Sequence, residues 1–140
     1  MIRVTRRFRF SASHRLHSNR FTDAENSELY GKCNNPFGHG HDYVLDIGVL
    51  GPVEPATGLA VNLQALDRLV QECVLNDFEH RYLNEEIEEF AEAIPTSENI
   101  VLAIEERLRR RWHSIFPGDW PRLENMRLQE TKRNRFELTT

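Results

Sequence analysis

Apolar and polar side chains alternate along two stretches of the chain, and this alternation predicts two β-strands. The first stretch covers residues 2–14, and only Arg6 interrupts it. Its apolar face is formed by Ile2, Val4, Phe8, Phe10, Ala12 and His14. The second stretch carries on one face His39, His41, Tyr43, Leu45, Ile47 and Val49. A period of two residues is typical of strands with one buried face, so we predict two half-buried strands.

Apolar residues recur at helical spacing in two later stretches. The first follows Asn62, a suitable N-cap, and contains Leu66, Leu69, Val70, Cys73 and Val74. The second follows Thr96 or Ser97 and contains Ile100, Val101, Ile104, Leu108 and Trp112. Alternation returns in two further strands, marked by Met126, Leu128 and Glu130 and then by Phe136 and Leu138. The order ββααββ predicts an α+β fold.

Two polar stretches, residues 17–38 and 78–95, are predicted as loops. The first is rich in Asn, Ser, Asp and Gly, and the second contains an acidic run. Neither has the composition of a linker, and the chain shows no internal repeat. At 140 residues the chain has the length of one ordinary domain. We therefore expect a single domain over residues 1–140.

Composition and charge narrow the classes of function. With 39% hydrophobic and 29% charged residues, the chain is typical of a globular protein. A net charge of −4 does not suit a nucleic-acid-binding protein. No apolar run is long enough to span a membrane, and the arginine-rich start does not resemble a signal peptide. Cys33 and Cys73 provide no disulfide framework, so a cytoplasmic location is expected.

The stretch GKCNNPFGHGHDY, residues 31–43, contains the strongest chemical signal in the sequence. His39 and His41 lie two positions apart on a predicted strand, so their side chains point the same way. His14 ends the first strand on its apolar face. If the two strands pair, the three imidazoles converge into a ligand set common for catalytic zinc, although copper, nickel and iron also accept imidazole.

Cys33 has two possible roles beside this histidine group. As a fourth ligand it would close a structural zinc site. As a thiolate with a lowered pKa beside the metal, it would act as a base or nucleophile. Structural zinc sites favour several cysteines, and this segment offers one, so a catalytic role is favoured.

Two more residues carry signals of function. His80 lies between a predicted helix and a loop, a position where functional side chains are common. Glu130 falls in phase with the apolar positions of its strand, and a buried carboxylate needs a partner. A heterocycle that offers N–H beside NH₂ would satisfy it. An internal arginine, or a strand end already in solvent, would satisfy it as well.

Six motifs occur in the order found in one protein family: FSASHRL, GKCNNPFGHGHDY, PATGLAVNL, EHRYLN, PTSEN and QET. Together they cover nearly the whole chain, which resembles the 6-pyruvoyl-tetrahydropterin synthase family. The resemblance implies the tunnelling fold. In that fold, ββααββ subunits have a four-stranded antiparallel sheet with two helices on one face, the sheets join into a trimeric barrel, and two trimers stack as a hexamer. It also implies active sites between subunits and 7,8-dihydroneopterin triphosphate as substrate.

The resemblance also implies roles for individual residues. His14, His39 and His41 correspond to the zinc ligands, Cys33 to the catalytic base and His80 to its proton-relay partner. Glu79 stands before His80 where the family more often has Asp, which leaves the orientation of His80 open.

For substrate binding, the resemblance implies that Glu130 anchors the pterin ring. The neighbouring PTSEN segment brings Thr96, Ser97 and Glu98 close to it. For the triphosphate, Arg15 and Lys32 are candidates by their position in the sequence only.

Three alternatives remain beside the pyruvoyl-forming reaction. A 6-carboxy-tetrahydropterin synthase of queuosine biosynthesis uses the same substrate but typically has a shorter interval than the five residues between Cys33 and His39 here. A folate-pathway side-chain cleavage would have an acidic residue in place of Cys33. A non-enzymatic zinc-binding module would have Cys33 on the metal and no role for Glu130.

Overall fold

The longest feature of the fold is an antiparallel pair of strands, β1 (Ile2–His14) and β2 (His39–Gly51). The two strands pair over their full length in the computed structural model, which describes residues 1–139. The register runs from Ile2 opposite Gly51 to His14 opposite His39. Both strands predicted from alternation are present, and the histidines lie at the same end of the pair.

Three further strands complete a five-stranded sheet. They are β3 (Arg81–Tyr82), β4 (Arg122–Thr131) and β5 (Asn134–Thr139). The strand order is β3-β1-β2-β4-β5, and β3 runs parallel to β1 whereas the other neighbours are antiparallel. The predicted four-stranded antiparallel sheet is therefore wrong by one strand. Because β3 has only two residues, it is too short to produce a recognisable alternation.

Both predicted helices are present, and shorter helical segments occur in both predicted loops. The helices are α1 (Asp23–Tyr30), α2 (Leu63–Val70), α3 (Asn76–Phe78), α4 (Leu83–Glu86) and α5 (Ser97–Ile115). A π-helical turn joins α2 to α3, and 3-10 turns follow α1 and α4. The simple order ββααββ is therefore wrong in detail. Helix α1 has no apolar stripe, because Asn26 is its one buried residue, although Thr22 and Glu25 form a capping box at its start.

The core lies between one face of the sheet and helices α2 and α5. Strand β2 contributes Tyr43, Leu45 and Ile47, all fully buried, and α5 contributes Ile100, Ile104 and Leu108. Arg6, which interrupts the apolar phase of β1, forms a bidentate ion pair with Asp67 of α2 at 3.0 and 2.8 Å. The ion pair explains how an arginine is tolerated there. No helix within residues 1–139 has the length and apolar character needed to cross a membrane.

The opposite face of the sheet is polar. Cross-strand pairs join Arg7 to Asp46, and the hydroxyl of Ser11 to Asp42. The β3 strand covers only Ala12 and Ser13 of the outer edge of β1. Within the described part of the chain, the β1 edge over residues 2–11 and the outer edge of β5 have no neighbouring strand. Two open strand edges offer backbone hydrogen-bonding groups to another chain.

The buried residues of α5 should account for most of the stability that this helix contributes to the fold. We expect Leu108→Ala to lower the free energy of unfolding by about 2–5 kcal/mol, because it removes a fully buried side chain and leaves a cavity. Leu102→Ala, on the same helix but 48% exposed, should cost less than about 1 kcal/mol. Urea unfolding followed by circular dichroism measures both variants, and equal losses would contradict this account of the core.

Candidate active site

Two imidazoles meet at the end of the β1–β2 pair. The register places His14 opposite His39, and Ala12 opposite His41. The Nε2 atoms of His14 and His41 are 3.1 Å apart, and their rings are nearly perpendicular. His14 is fully buried. The convergence predicted from the alternation of the two strands is therefore present for these two histidines.

Cys33 is held beside this pair by hydrogen bonds between its turn and Leu16. It lies in the 3-10 turn Gly31–Asn34 that follows α1. The Leu16 N–H donates to the carbonyl of Cys33 at 2.7 Å, and the Asn34 side chain donates to the carbonyl of Leu16 at 2.7 Å. The Cys33 Sγ is then 3.8 Å from Nε2 of His41. The possible ligand atoms of His14, Cys33 and His41 all lie within 4.8 Å of one another.

His39 lies beside this group rather than within it. Its ring centroid is 4.7 Å from that of His41, and its side chain lines a cavity of about 460 Å³ that Arg15 and Lys32 also line. The sequence predicted a set of His14, His39 and His41, whereas the structure groups Cys33 with two of them. The role of His39 as a ligand stays a prediction.

The surroundings of the two clustered histidines favour neutral rings. The Nδ1–H of His14 donates to the carbonyl of Pro95 at 2.8 Å, which leaves the lone pair on Nε2 available. Burial lowers the pKa of His14, more than that hydrogen bond and the charge of Glu130 raise it. Burial likewise lowers the pKa of His41. Neutral imidazoles with available Nε2 atoms are the form that binds metal ions.

The thiol of Cys33 behaves differently from the sequence-based expectation. Burial raises the pKa of Cys33, and the nearby charge of Glu130 raises it further. The surrounding side chains therefore do not supply the lowered pKa expected for a catalytic thiolate. A positive charge close to the sulfur would be needed to favour the thiolate.

Glu130 reaches the cluster from β4, and its partners are not arginines. Its Oε2 accepts a short hydrogen bond from the hydroxyl of Ser97, and its Oε1 is 3.7 Å from Nε2 of His41. Its side chain is 13% exposed. No arginine forms an ion pair with Glu130 within residues 1–139, so the alternative of an internal arginine partner is not met. Oε1 is left as an acceptor beside the cluster.

The segment before α5 supports both the histidine and the carboxylate. Pro95 accepts from His14, and Ser97, which is 1% exposed, donates to Glu130. Between them, Thr96 is the N-cap of α5, and its hydroxyl accepts from the Asn99 N–H at 3.2 Å. Glu98 is exposed on the first turn, and no hydrogen bond or ion pair of Glu98 occurs within the described chain. Of the three residues predicted to bind substrate in this segment, Ser97 is the one that bonds to Glu130.

His80 lies at the edge of β1, directly before β3. It adopts a left-handed backbone conformation with φ 59°, and its N–H donates to the carbonyl of Ser11 at 2.6 Å. Its side chain is 80% exposed and lines a shallow depression with Ser11, Ser13 and Asp42 of the polar sheet face and with His41 of the cluster. Across residues 1–139, no hydrogen bond or ion pair joins His80 to Cys33 or to the clustered histidines.

Glu79 orients His80 in this position. One carboxylate oxygen is 2.9 Å from Nε2 of His80, and the other accepts from the Ser11 N–H at 3.2 Å. A carboxylate fixed by a strand backbone is thus bonded to an exposed imidazole. The longer side chain of Glu, compared with the family's more usual Asp, still reaches both partners.

Sequence reasoning missed three residues that shape the site. Asn34 fixes the turn of Cys33, the Pro95 carbonyl orients His14, and the buried hydroxyl of Tyr43 is 3.5 Å from Nδ1 of His14. Burial raises the pKa of Tyr43, so this phenol stays protonated. Tyr43 shares a strand face with His39 and His41, and of the three missed residues it is the one that the sequence pattern could have indicated. The contacts of Asn34 and Pro95 depend on the tertiary fold.

The chain folds as an α+β protein with a group of His14, Cys33 and His41 that could hold a metal ion, and comparison with known proteins identifies its family. The sequence profile of the 6-pyruvoyl tetrahydropterin synthase family matches residues 3–140. A 6-pyruvoyl tetrahydrobiopterin synthase of Poecilia reticulata is 37% identical over 131 residues, covering 94% of this chain and 85% of its own. The human protein of the same name is 42% identical over 107 residues, covering 76% and 74% respectively.

The solved structures agree with the sequence relatives. The structure of Caenorhabditis elegans 6-pyruvoyl tetrahydropterin synthase superimposes with a TM-score of 0.87 at 36% identity, and covers 99% of this chain and 95% of its own. The chain belongs to the 6-pyruvoyl tetrahydropterin synthase family. The resemblance inferred from the six motifs is thereby confirmed.

Proposed function

We propose that this protein is a lyase that converts 7,8-dihydroneopterin triphosphate to 6-pyruvoyl-tetrahydropterin with loss of triphosphate. The observation that carries the proposal is the juxtaposition of Cys33, His41 and Glu130 in a chain of this family. Nε2 of His41 lies 3.8 Å from the Cys33 thiol and 3.7 Å from the largely buried carboxylate of Glu130. A base beside a heterocycle anchor is what proton abstraction from a pterin side chain requires.

Zinc is the metal that we propose for the cluster. The donor set fits this metal, because two neutral imidazoles with available Nε2 atoms and a third nitrogen or sulfur ligand suit zinc. His14 and His41 would hold it, with His39 as the third ligand by family resemblance. When bound, zinc supplies a Lewis acid that polarises hydroxyl groups of the substrate side chain and so acidifies the adjacent C–H.

Cys33 is the base in this proposal, and Glu130 is the pterin anchor. The thiol lies beside the cluster on a turn fixed by Asn34, so its sulfur is positioned to accept the substrate proton. Glu130 has Oε2 occupied by Ser97 and presents its carboxylate to a ring N–H and an exocyclic NH₂. Because Ser97 bonds to Glu130, its part is to orient the anchor. Thr96 and Glu98 flank the same site.

In this proposal His80 relays the proton and Glu79 orients His80. The His80 that serves a given site comes from the partner chain. Within residues 1–139 of one chain, the exposed side chain of His80 forms an ion pair with Glu79, and no hydrogen bond or ion pair joins it to Cys33. In this proposal His80 of one subunit therefore reaches Cys33 of the next. The open edges of β1 and β5 suit pairing between subunits into a trimeric barrel, with two trimers stacked as a hexamer.

The remaining features of the proposal concern partners and location. Two free cysteines are compatible with a reducing, cytoplasmic compartment. The pterin triphosphate is the small-molecule substrate. No nucleic-acid partner is proposed, because the net charge is −4 and the arginines of the polar sheet face are largely paired with carboxylates.

Incubation with 7,8-dihydroneopterin triphosphate, followed by product identification by mass, tests the reaction. The proposal predicts a 6-pyruvoyl side chain and released triphosphate. A 6-carboxy product with acetaldehyde would show that the protein catalyses the 6-carboxy-tetrahydropterin synthase reaction instead. No turnover under conditions where the protein binds zinc would reject both enzyme reactions.

One observation favours a second candidate, a non-enzymatic zinc-binding module. The thiol of Cys33, rather than a nitrogen of His39, groups with His14 and His41, as a closed structural site would need. In a zinc-binding module the carboxylate of Glu130 would have no role, although it lies only 3.7 Å from His41. Metal retention by variants decides between the two.

We expect His14→Ala and His41→Ala each to lower zinc content below about a tenth of the wild-type value, because each removes one of few ligands. Cys33→Ala should keep its zinc and lose turnover by about two to four orders of magnitude, because only the base is gone. Zinc content is measured by mass spectrometry on protein dialysed at a fixed free-zinc concentration.

The matched control for these metal measurements is His113→Ala, an exposed histidine on α5, which should keep its zinc. His39→Ala tests the third ligand. Loss of zinc in Cys33→Ala together with retention in His39→Ala would support the module and contradict the catalytic assignment of Cys33.

We expect activity to return when inactive Cys33→Ala and His80→Ala subunits are mixed. If each site combines Cys33 of one subunit with His80 of another, random mixing restores both residues in about a quarter of the sites. Refolding the two variants together and measuring turnover provides the test. No recovery above the separate variants would mean that both residues act within one chain.

The anchoring role of Glu130 predicts a loss of pterin affinity with little loss of stability. In Glu130→Gln one acceptor oxygen becomes a donor, so the affinity for dihydroneopterin should fall by about 2–5 kcal/mol. Ser97→Ala should cost about 0.5–1.5 kcal/mol, because it removes one hydrogen bond that orients the carboxylate.

Fluorescence titration measures the affinities for Glu130→Gln and Ser97→Ala, and thermal unfolding checks stability. The matched control is Glu137→Gln on the neighbouring strand β5, which should bind normally. Unchanged binding by Glu130→Gln with a lowered melting temperature would make Glu130 a structural residue.

A further inference from the structure

Arg107 of α5 joins the two ends of the chain segment that carries His80. This segment, residues 76–91, is called the His80 segment below. Before His80, Nη1 of Arg107 donates to the carboxylate of Asp77 at 2.6 Å. After His80, Nη2 of Arg107 donates to one carboxylate oxygen of Glu89 at 2.8 Å, and Nε donates to the other. The two ends are therefore tied to one guanidinium, which limits the conformations open to the residues between them.

Arg107 is more buried than the arginines that form ion pairs on the polar sheet face. Its side chain is 18% exposed, and Nη1 also donates to the carbonyl of Cys73 at 2.9 Å. The hydrogen bond from Arg107 lowers the pKa of Glu89, so this carboxylate stays charged below neutral pH. A bidentate guanidinium that is largely removed from water orders its partners more firmly than an exposed ion pair does.

Phe78 connects the position of Arg107 to that of His80. The Cζ atom of Arg107 lies 5.0 Å from the centroid of the Phe78 ring, within the range of a cation–π contact. Phe78 is fully buried, and its ring packs edge-on against Phe10 of β1 with centroids 5.7 Å apart. Only Glu79 separates Phe78 from His80 in the chain. An ordered Phe78 therefore fixes where the backbone enters His80.

The backbone conformation of His80 makes such support necessary. Its φ of 59° lies in the left-handed region, which is uncommon for residues other than glycine. A residue keeps this conformation where the surrounding structure determines it. On the sheet side, the hydrogen bond to Ser11 does so. On the helix side, Arg107 holds Asp77 and Glu89, which lie on either side of His80 in the chain.

We propose that Arg107 is a positioning residue for His80 in the proton relay. The inference rests on the proposed function, since it concerns His80 as the relay. Within residues 1–139, Arg107 forms no hydrogen bond or ion pair with Cys33 or with His80, so it acts through the conformation of the His80 segment. Helix α5 thus supports the proposed pterin anchor at its first turn, through Ser97, and the relay histidine near its middle.

Steady-state kinetics with 7,8-dihydroneopterin triphosphate tests the positioning role. Arg107→Met keeps the apolar stem but removes the charge and the hydrogen bonds. We expect its kcat to fall about 10- to 100-fold and its KM to stay within about threefold, because the relay is misplaced while the substrate contacts remain. Arg107→Lys, which keeps the charge without the planar fork, should lose less than Arg107→Met.

The matched control is Arg111→Met, one helical turn later on α5. Arg111 forms an ion pair with Glu72 at 2.9 Å, outside the His80 segment. Its kcat should stay within about twofold of the wild-type value. A wild-type kcat in Arg107→Met, or equal losses in the two Met variants, would overturn the proposal.

Mixed subunits separate positioning from a general loss of stability. Because Arg107 acts on His80 of its own chain, Arg107→Met subunits should regain turnover when refolded with Cys33→Ala subunits but not with His80→Ala subunits. In the first mixture, about a quarter of the sites combine an intact Cys33 with a correctly held His80. Recovery in both mixtures contradicts the proposal. So does recovery in neither, where Cys33→Ala and His80→Ala restore each other.

Hydrogen exchange followed by mass spectrometry decides independently of activity and of subunit pairing. In Arg107→Met, a peptide containing the His80 amide should exchange at least about tenfold faster than in the wild-type protein, because its bond to Ser11 opens more often. A peptide from the core of β2, residues 43–49, should exchange as it does in Arg111→Met. Unchanged exchange at His80, or equal acceleration in both peptides, overturns the proposal. If exchange at His80 rises as expected but the wild-type protein turns over no dihydroneopterin triphosphate, the support of His80 by Arg107 stands and the proposed reaction fails.

Discussion

The register between β1 and β2 is the constraint on which the site depends. Because His14 lies opposite His39 and Ala12 opposite His41, the inward-pointing imidazoles of both strands come together at one end of the pair. A slip of one residue would turn every side chain of one strand to the other face of the sheet. The slip is opposed by the buried inner face, where Phe10 stacks on Tyr43 at 5.0 Å. Packing in the core thus fixes the geometry of the donor atoms.

A second constraint comes from the start of α5. Its N-cap at Thr96 fixes the preceding and following residues, and these contact two different parts of the site. Pro95 sets the tautomer of His14, and Ser97 holds Glu130. One capped helix start therefore couples the proposed metal-binding group to the proposed pterin anchor, so a change in this segment should affect both. Sites held by rigid elements in this way lose little precision to thermal motion.

Much of this arrangement could be predicted from the sequence, because strand alternation carries the information directly. The phase of β1 and β2 placed His14 and His41 on one face, and the apolar phase of β4 marked Glu130 as a carboxylate that needs a partner. That partner, Ser97, lies 33 residues away, so only the fold could identify it. Alternation also could not find β3, which has two residues, or α1, which buries only Asn26.

The positions of Cys33 and His80 were harder to predict, because they too depend on contacts that only the tertiary fold creates. Proximity in sequence suggested that Cys33 is near the histidines, but its distance of 3.8 Å from His41 depends on the hydrogen bonds of Leu16 and Asn34. His80 was associated with the same site, yet its N–H bonds to the carbonyl of Ser11 at the edge of β1, and within residues 1–139 no hydrogen bond joins its side chain to Cys33.

Anomalous diffraction at the zinc edge, on crystals grown with zinc, tests the central claim most directly. The account predicts a single strong peak within bonding distance of Nε2 of both His14 and His41, and the same map identifies whether His39 or Cys33 is the third ligand. A zinc peak elsewhere in the molecule, with none between these two nitrogens, would contradict the claim that the β1–β2 register builds a metal site.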